Sequence, residues 1–288
     1  MSCGTCHQPG IGGSDPRIAL NPGPDNLVST ADDRKSSFGI VRSDAANEYV
    51  HDPVYKLLAQ ATARSANSMI NAAYAPTLFW DGRATSQFTD PETGNIAIVS
   101  GGALESQALE PILSHVEMGH DGLTWSEVTS KLGRVQPLAL ATSIPSDINT
   151  ALAAHPDYPE LFRRAFGDTQ ITAKRIAFAI ATYQRTLIAD QTPFDAFQAG
   201  TGTMTPQQIQ GFNVFFGANC SKCHFANNLT FSDHTFRNIG LRPTTEDPGR
   251  QTITGNPADR GKFKVPTLRN VGLKKTFMHN GQFSTLEQ

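Results

Sequence analysis

The sequence lacks any apolar run that approaches the roughly 18 residues of a membrane-spanning helix. It also lacks a charge excess of either sign, with a formal net charge of -2 over 288 residues. The first absence argues against a membrane span, and the second leaves no basic surface for nucleic acid. Cysteine is scarce at four residues and tryptophan at two. A hydrophobic fraction of 39% with 17% charged residues is typical of a globular protein, not of a disordered chain.

The N-terminus lacks the charged and apolar regions of a secretory signal, since the chain begins Met1-Ser2-Cys3. A cysteine motif that begins at the third residue has no helix before it, and the sequence stops at Gln288 within a continuing pattern. We interpret the sequence as a fragment shortened at both ends. The 24 glycines and 18 prolines concentrate in long connections, which predicts helices joined by ordered loops.

Helical patterns dominate the chain. Thr205, Pro206 and Gln208 form a capping-box helix start, and a second helix is predicted over 172–188 with Thr172 as its cap. Weaker helical patterns cover four segments, namely 53–63, 107–113, 125–132 and 158–165, and one strand is predicted at 95–99. The predicted class is mainly α. A boundary near residue 167 would divide the chain into domains 1–167 and 168–288.

All four cysteines fall in two C-x-x-C-H motifs, at residues 3–7 and 220–224. In each motif, two thiols can form thioether bonds to haem vinyl groups and the adjacent imidazole can bind the iron. The predicted cofactor-binding residues are Cys3, Cys6, His7, Cys220, Cys223 and His224. The sequence therefore predicts two covalent haem c groups. Because haem c is attached outside the cytoplasm, we expect a periplasmic or otherwise exported protein.

The alternatives for these cysteines are a zinc site, a thioredoxin-like redox pair and structural disulfides. Zinc does not require a histidine directly after both cysteine pairs. A redox pair favours a βαβ context, and disulfides do not favour this spacing twice. Each alternative explains fewer features of the motifs than haem attachment does.

The segments between the motifs resemble the bacterial di-haem cytochrome c peroxidase and MauG family over nearly the whole chain. The segments that carry the resemblance are F-W-D-G-R-A at 79–84, the pattern from Gln107 to V-E-M at 116–118, and the C-terminal signature at 263–270 and 279–281. The resemblance implies two cytochrome c-like haem domains packed against each other. It also implies that the N-terminal haem is peroxidatic and that the C-terminal haem relays electrons.

The resemblance assigns His7 and His224 as the proximal iron ligands and four further residues to the reaction: Glu117, Gln107, Trp80 and Pro111. A carboxylate such as Glu117 can move a proton between the two oxygens of peroxide. Gln107 can hydrogen-bond to bound peroxide, Pro111 shapes the pocket without adding a polar group, and Trp80 relays electrons between the haems. From spacing alone, Glu117 and Gln107 would be solvated helix residues and Trp80 a core residue. The family pattern favours the functional roles.

The sequence departs from the family at the histidine that caps the peroxidatic iron in many members. Leu57 aligns with that histidine and cannot bind iron, while His51 is a nearby candidate in a polar stretch. We therefore predict an open peroxidatic site. The sixth ligand of the second haem is expected beyond Gln288, with Met278 and Met204 as weaker substitutes.

The resemblance also implies a calcium ion between the domains, bound by the backbone carbonyls of Lys274 and Thr276. The asparagine that supplies the family's side-chain ligand aligns with Ser65, and Asn67 is close by. His279 lies in a family signature and is interpreted as structural near the domain interface. The remaining candidates are interpreted as surface, hydrogen-bonded or packing residues, namely His115, His120, His155, His234 and Trp125.

The favoured function is a peroxidase that reduces hydrogen peroxide to water with electrons from a small cytochrome c or cupredoxin. A MauG-like oxidase acting on side chains of a partner protein is the first alternative, and the missing histidine cap favours it. A non-catalytic electron-transfer cytochrome is the second alternative. Gln107 and Glu117 argue against that carrier, because it would need two closed irons and no proton-transfer group. The assembly is left open, with a homodimer as one option.

Overall fold

The computed structural model describes residues 2–226 and 228–288. Within them, nine α-helices are joined by long connections. They are α1 (Cys3–Cys6), α2 (Ala103–Leu113), α3 (Trp125–Leu132), α4 (Ser146–Ala154), α5 (Tyr158–Phe166), α6 (Ala173–Gln184), α7 (Pro193–Gln198), α8 (Pro206–Gly217) and α9 (Gln251–Thr254). Single 3₁₀ turns occur at Pro9–Ile11, Gly23–Asp25, Ala72–Tyr74, Cys220–Lys222, Pro257–Asp259 and Val271–Leu273. The helices make the described chain mainly α, as predicted.

The strands are short and form four separate antiparallel pairs in the described residues. They are β1 (Ala19–Asn21) with β2 (Arg34–Ser36), β3 (Phe38–Val41) with β4 (Ala59–Ala61), β5 (Phe88–Thr89) with β6 (Ile96–Ile98), and β7 (Phe236–Arg237) with β8 (Phe263–Lys264). A two-stranded pair is marginal by itself in water, so each pair depends on its packing against the rest of the chain. The strands serve to hold loops in place.

Helix starts follow the sequence signals. The Thr205 hydroxyl accepts from the Gln208 amide at 3.2 Å, and the Gln208 side chain accepts from the Thr205 amide at 2.8 Å, which confirms the capping box of α8. The Thr172 hydroxyl accepts from the Arg175 amide at 3.2 Å and begins α6. The helices predicted at 125–132, 158–165 and 107–113 and the strand at 95–99 are also confirmed within a few residues.

The helix predicted over 53–63 is wrong. The Asp52 carboxylate accepts from the amides of Val54 and Tyr55, both at 2.8 Å, which closes a turn at the start of the segment. Lys56 then adopts a positive φ of 60°, and the segment ends in strand β4. Local side-chain bonds and strand pairing therefore override the apolar pattern.

The main core lies where α2 packs against α6. One cluster joins Phe88, Leu109 and Phe162 to the Ala173, Ile176 and Ala177 face of α6, and Trp125 packs against it, as predicted. At the other end of this contact, Arg185 forms an ion pair of 2.7 Å with the buried Glu105 of α2. The helix before residue 167 and the helix after it thus share one core. The division into domains at residue 167 stays a prediction.

No helix in residues 2–226 and 228–288 is long and apolar enough to cross a membrane.

Candidate functional site

Both C-x-x-C-H histidines are held by the same kind of contact. The Nδ1 atom of His7 lies 3.1 Å from the backbone carbonyl of Gly13, and the Nδ1 atom of His224 lies 2.9 Å from that of Phe231. A carbonyl only accepts hydrogen bonds, so each Nδ1 carries the proton and donates it. The Nε2 atom of each ring keeps its lone pair, which is the arrangement that an iron-binding histidine requires.

The surroundings of the motifs also suit covalent haem. Burial lowers the pKa of His7, which keeps its imidazole in the neutral form that binds a metal. None of the four cysteines is joined in a disulfide. Within residues 2–226 and 228–288, no group of three or more His, Cys, Asp or Glu side chains is arranged so that it could hold a metal ion.

The second motif opens onto a cavity of about 390 Å³. Its walls include Cys220, Cys223 and His224 from the motif, together with Trp80, Phe263 and Met278. The motif itself is a single 3₁₀ turn that follows α8 directly. A cavity beside two thiols and a pre-oriented imidazole fits a haem.

Aromatic contacts hold the ligand His224 in place. Phe212 of α8 packs against Phe194 at 5.7 Å between ring centroids, and Phe194 packs against Phe231 at 5.1 Å. The carbonyl of Phe231 then accepts the hydrogen bond of His224. The apolar face of α8 is thus connected to the second motif, as its sequence pattern predicted. Met204 lies in a smaller cavity lined mainly by these phenylalanines, whereas Met278 lines the motif's own cavity.

The negative charge of Glu117 acts on both cysteines of the first motif. Desolvation by the surrounding protein raises the pKa of the Cys3 thiol, although Cys3 is exposed, and the charge of Glu117 adds to that rise. Burial also raises the pKa of Cys6 to about 11, with a further contribution from the same carboxylate. Glu117 is therefore close enough to the first motif for its charge to raise the pKa of both Cys3 and Cys6.

The Glu117 carboxyl has a perturbed pKa of its own. Its pKa lies above the ordinary glutamate value, chiefly because it is buried. The positive charge of Arg83 opposes this rise, and the negative charge of Glu110 reinforces it. Arg83 belongs to the F-W-D-G-R-A signature, but the sequence alone assigned no role to it. A raised pKa makes a carboxyl easier to protonate than an ordinary glutamate.

The loop that carries Glu117 is fixed by strand β3. The Ile40 amide donates to the Val116 carbonyl at 2.8 Å. A side chain on Gly39 would place its Cβ 2.1 Å from that carbonyl, so only glycine allows this approach. Buried Gln60 donates through Nε2 to the carbonyls of Ile40 at 3.2 Å and His115 at 2.9 Å. Sequence reasoning missed Gln60 because its partners are distant in the chain.

Gln107 and Pro111 lie on α2, the helix that ends shortly before Glu117. Gln107 is half-buried, and Pro111 lies inside the last turn of the helix. The Ser114 carbonyl, just beyond the helix, accepts from the amides of Glu117 and Met118 at 3.0 Å each. This tight turn connects α2 to Glu117. Their roles toward peroxide stay predictions.

The F-W-D-G-R-A segment is a tight turn that faces both C-x-x-C-H motifs. Trp80 is 6% exposed and lines the cavity of the second motif. Arg83, three residues later, acts on the pKa of Glu117 near the first motif. Between them, Gly82 has a φ of 75°, and a Cβ there would lie 2.3 Å from the Phe236 ring. The turn therefore requires glycine and places one side chain toward each motif.

A buried ionic cluster joins the two halves of the chain beside Trp80. Arg64 donates to both oxygens of Asp247, at 2.8 and 2.7 Å, and to Asp81 at 2.6 Å. His279 stacks on Phe263 with 3.6 Å between ring centroids and meets Trp80 edge-on at 6.3 Å. His279 thus contacts residues from both halves, in keeping with its predicted structural role.

The other sequence candidates occupy varied positions. His51 and Leu57 are exposed, and Ser65 is buried with its hydroxyl donating to the Met278 carbonyl at 2.7 Å. His234 lies 3.1 Å from the Thr230 hydroxyl, His155 lies 3.2 Å from Glu160, and His120 lies 2.9 Å from the Asp121 carbonyl. These three are hydrogen-bonded, as predicted. The calcium site at Lys274 and Thr276 stays a prediction.

Comparison with known proteins agrees with this arrangement. The family model described as di-haem cytochrome c peroxidase matches residues 1–203. The chain belongs to this family. The cytochrome c551 peroxidase of Nitrosomonas europaea is 27% identical over 100% of this chain and 65% of its own length. The methylamine utilization protein MauG of Methylophilus methylotrophus is 30% identical over 79% of this chain and 56% of its own length.

Solved structures share the fold. A MauG-like protein associated with microbial copper homeostasis has a TM-score of 0.61 at 23% identity, covering 100% of this chain and 68% of its own. The di-haem peroxidase BthA from Burkholderia thailandensis has a TM-score of 0.59 at 22% identity, covering 99% of this chain and 64% of its own. The chain spans about three fifths of the length of the curated relatives that it matches. The family carries two haems c and consists of oxidoreductases.

Proposed function

We propose that this chain forms the catalytic part of a periplasmic peroxidase that reduces hydrogen peroxide to water with electrons from a small cytochrome c or cupredoxin. The observation that carries the proposal is Glu117, a half-buried carboxyl whose pKa is raised and whose negative charge acts on both cysteines of the first motif. A protein that only carries electrons has no use for such a group. We further propose that residues 1–167 and 168–288 form one cytochrome c-like domain each.

Each of these residues has a separate role in the proposed reaction. His7 and His224 would hold the two irons through Nε2, and a haem bound at His7 would supply the redox chemistry of peroxide reduction. Glu117 accepts a proton from one peroxide oxygen and donates it to the other. Gln107 orients peroxide by hydrogen bonding, and Pro111 keeps that side of the pocket apolar.

Trp80 connects the two sites. Its indole lies in the wall of the second cavity, while the turn that bears it places Arg83 toward Glu117. An indole is polarizable and can be oxidised transiently, so Trp80 is suited to relay electrons between haems that His224 and His7 would hold. The donor protein would deliver its electron to the haem on His224.

A turnover assay of the full-length exported protein tests the proposal. Hydrogen peroxide is added to the enzyme with a reduced small c-type cytochrome or a reduced cupredoxin, and donor oxidation is recorded. Two donor electrons should be consumed for each peroxide, which balances its reduction to two waters. Slow peroxide consumption without donor oxidation would contradict the proposal.

A MauG-like oxidase that acts on side chains of a partner protein is the second candidate. The exposed Leu57 at the place of the capping histidine favours it, because an open iron needs no activation. In the same assay, this function predicts that peroxide oxidises a co-purified partner protein in preference to the donor. Mass spectrometry of the partner would detect the added oxygen or cross-link.

A further inference from the structure

The cavity of the second motif contains a buried cation without a counter-ion. Lys264 lines this cavity and is 8% exposed. Among the described residues it has no ion-pair partner, and its side chain donates no hydrogen bond. Burial lowers its pKa to about 8, which still leaves the ammonium mostly charged at neutral pH. A buried charge of this kind is costly unless it is paired.

Other cations at the cavity are already paired. Arg237 lies 2.7 Å from Asp233, Arg242 lies 2.8 Å from Glu246, and Arg34 lies 3.6 Å from Asp247. Lys274 also lines the cavity without a partner among the described residues, but it is only half-buried. Lys264 is therefore the cation with the strongest need for an anion from within the cavity.

The position of Lys264 is fixed relative to Trp80. The Lys264 amide donates to the Trp80 carbonyl at 2.7 Å, and strand β8 pairs Lys264 with Phe236 of β7. The backbones of Lys264 and Trp80 are thus fixed against each other in the wall of the cavity. An anion held by Lys264 would lie beside the proposed electron relay.

We propose that Lys264 is the counter-ion of a propionate of the haem on the second motif, and that it holds the propionate edge of this haem beside Trp80. Cys220 and Cys223 fix the vinyl edge of the ring, so its two carboxylates must enter another part of the same cavity. An ammonium stabilises a carboxylate through a charge-assisted hydrogen bond. It also disfavours the extra positive charge of ferric iron, and so raises the reduction potential of this haem.

This inference rests on the haem content of the proposed function and not on its reaction. The test is a spectroelectrochemical titration of the purified two-haem protein, with haem number checked by intact mass. Lys264→Met should lower the reduction potential of the second haem by about 59 mV. This shift corresponds to a roughly tenfold change in the equilibrium constant of a one-electron reduction. Lys264→Arg should keep the potential. Lys275→Met, at an exposed neighbouring lysine, should not change it.

Resonance Raman spectra give a second readout, since the propionate bending band should shift in Lys264→Met and stay in place in Lys264→Arg. Unchanged potential and unchanged band in Lys264→Met would overturn the inference. If Lys264→Met and Lys264→Gln both lose the second haem while Lys264→Arg keeps it, the charge is required for binding and the inference stands. Loss of the haem in Lys264→Arg as well would assign Lys264 to packing. Peroxide turnover does not enter any of these outcomes.

Discussion

The indole Nε1 of Trp80 donates to the backbone carbonyl of Ser65 at 2.9 Å. Ser65 in turn donates through its amide to the His279 carbonyl at 2.9 Å. This chain of bonds ties the F-W-D-G-R-A turn to His279 of the C-terminal signature, which lies 214 positions after Ser65. Trp80 is therefore held in one orientation at the wall of the second cavity.

Trp80→Phe should impair electron delivery from the second haem while peroxide still binds at the first. The variant loses the indole and leaves the Ser65 carbonyl unpaired, which costs about 1–3 kcal/mol of unfolding free energy. Stopped-flow spectra after peroxide mixing should show slower oxidation of the second haem. Trp125→Phe, in the distant α2–α6 core, is the matched control and should keep the native rate. Normal relay in Trp80→Phe would make Trp80 a packing residue.

Glu117→Gln should slow peroxide cleavage by roughly 10² to 10⁴, because one general acid-base group is lost. Both haems should remain attached, as counted by intact mass. The substitution keeps the size of the side chain and removes its titration. Glu48→Gln, at an exposed carboxylate, serves as the control. Equal turnover in Glu117→Gln and the control would remove Glu117 from the mechanism.

Gln60→Leu should reduce peroxide turnover without loss of haem, because the loop of Glu117 loses its tie to β3. The carbonyls of Ile40 and His115 lose their donor, and an unpaired group costs up to about 1–3 kcal/mol where it is buried. The measurements are the thermal midpoint and the pH profile of turnover, which should shift if the surroundings of Glu117 change. Gln191→Leu at an exposed position is the control. A lower midpoint with an unchanged pH profile would assign Gln60 to stability alone.

The ionic cluster at Arg64 predicts acid sensitivity. Burial alone would raise the pKa of Asp247, but its hydrogen bonds and charge interaction with Arg64 outweigh this, so the pKa lies below its ordinary value. A lowered folded-state pKa means that the contribution to stability is complete above the unfolded value of about 3.9 and is lost as pH falls through the folded value. The wild type should therefore lose this stability below about pH 4.

Asp247→Asn should remove that part of the acid dependence and lower the unfolding free energy at pH 7 by about 3–5 kcal/mol, since it breaks a buried pair. Denaturant unfolding at pH 7 and pH 3.5 measures both effects. Asp168→Asn, which breaks an exposed pair with Arg175, should change the unfolding free energy much less. An Asp247→Asn variant as stable as the wild type at pH 7 would contradict the role of the cluster.

Local signals were enough for several elements. The Thr205 and Thr172 caps begin their helices because a cap needs only residues three positions apart. The haem-attachment role of the motif cysteines and histidines could also be predicted from the sequence, since attachment requires residues that are close together in the chain. The helix prediction for residues 53–63 was wrong because the turn at Asp52 and the pairing of β4 with β3 outweigh a weak helical pattern.

Long-range contacts could not be predicted from spacing. The bidentate pair of Arg64 and Asp247 joins residues 183 positions apart, and the two bonds of Gln60 reach carbonyls 20 and 55 positions away. The need of Lys264 for a counter-ion becomes visible only when the cavity wall is assembled. A single sequence carries no direct signal for such partners.

The central claim is that the haem on His7 is an open site for peroxide. His51 is exposed and Leu57 cannot bind iron, so no capping imidazole is expected opposite His7. Electron paramagnetic resonance of the fully oxidised, full-length protein tests this most directly. The account predicts one high-spin and one low-spin ferric haem, with the high-spin signal lost on adding peroxide without prior reduction. Two low-spin signals that convert to this pattern only on half-reduction, and that no longer appear together in His51→Ala, would contradict it and make His51 the cap.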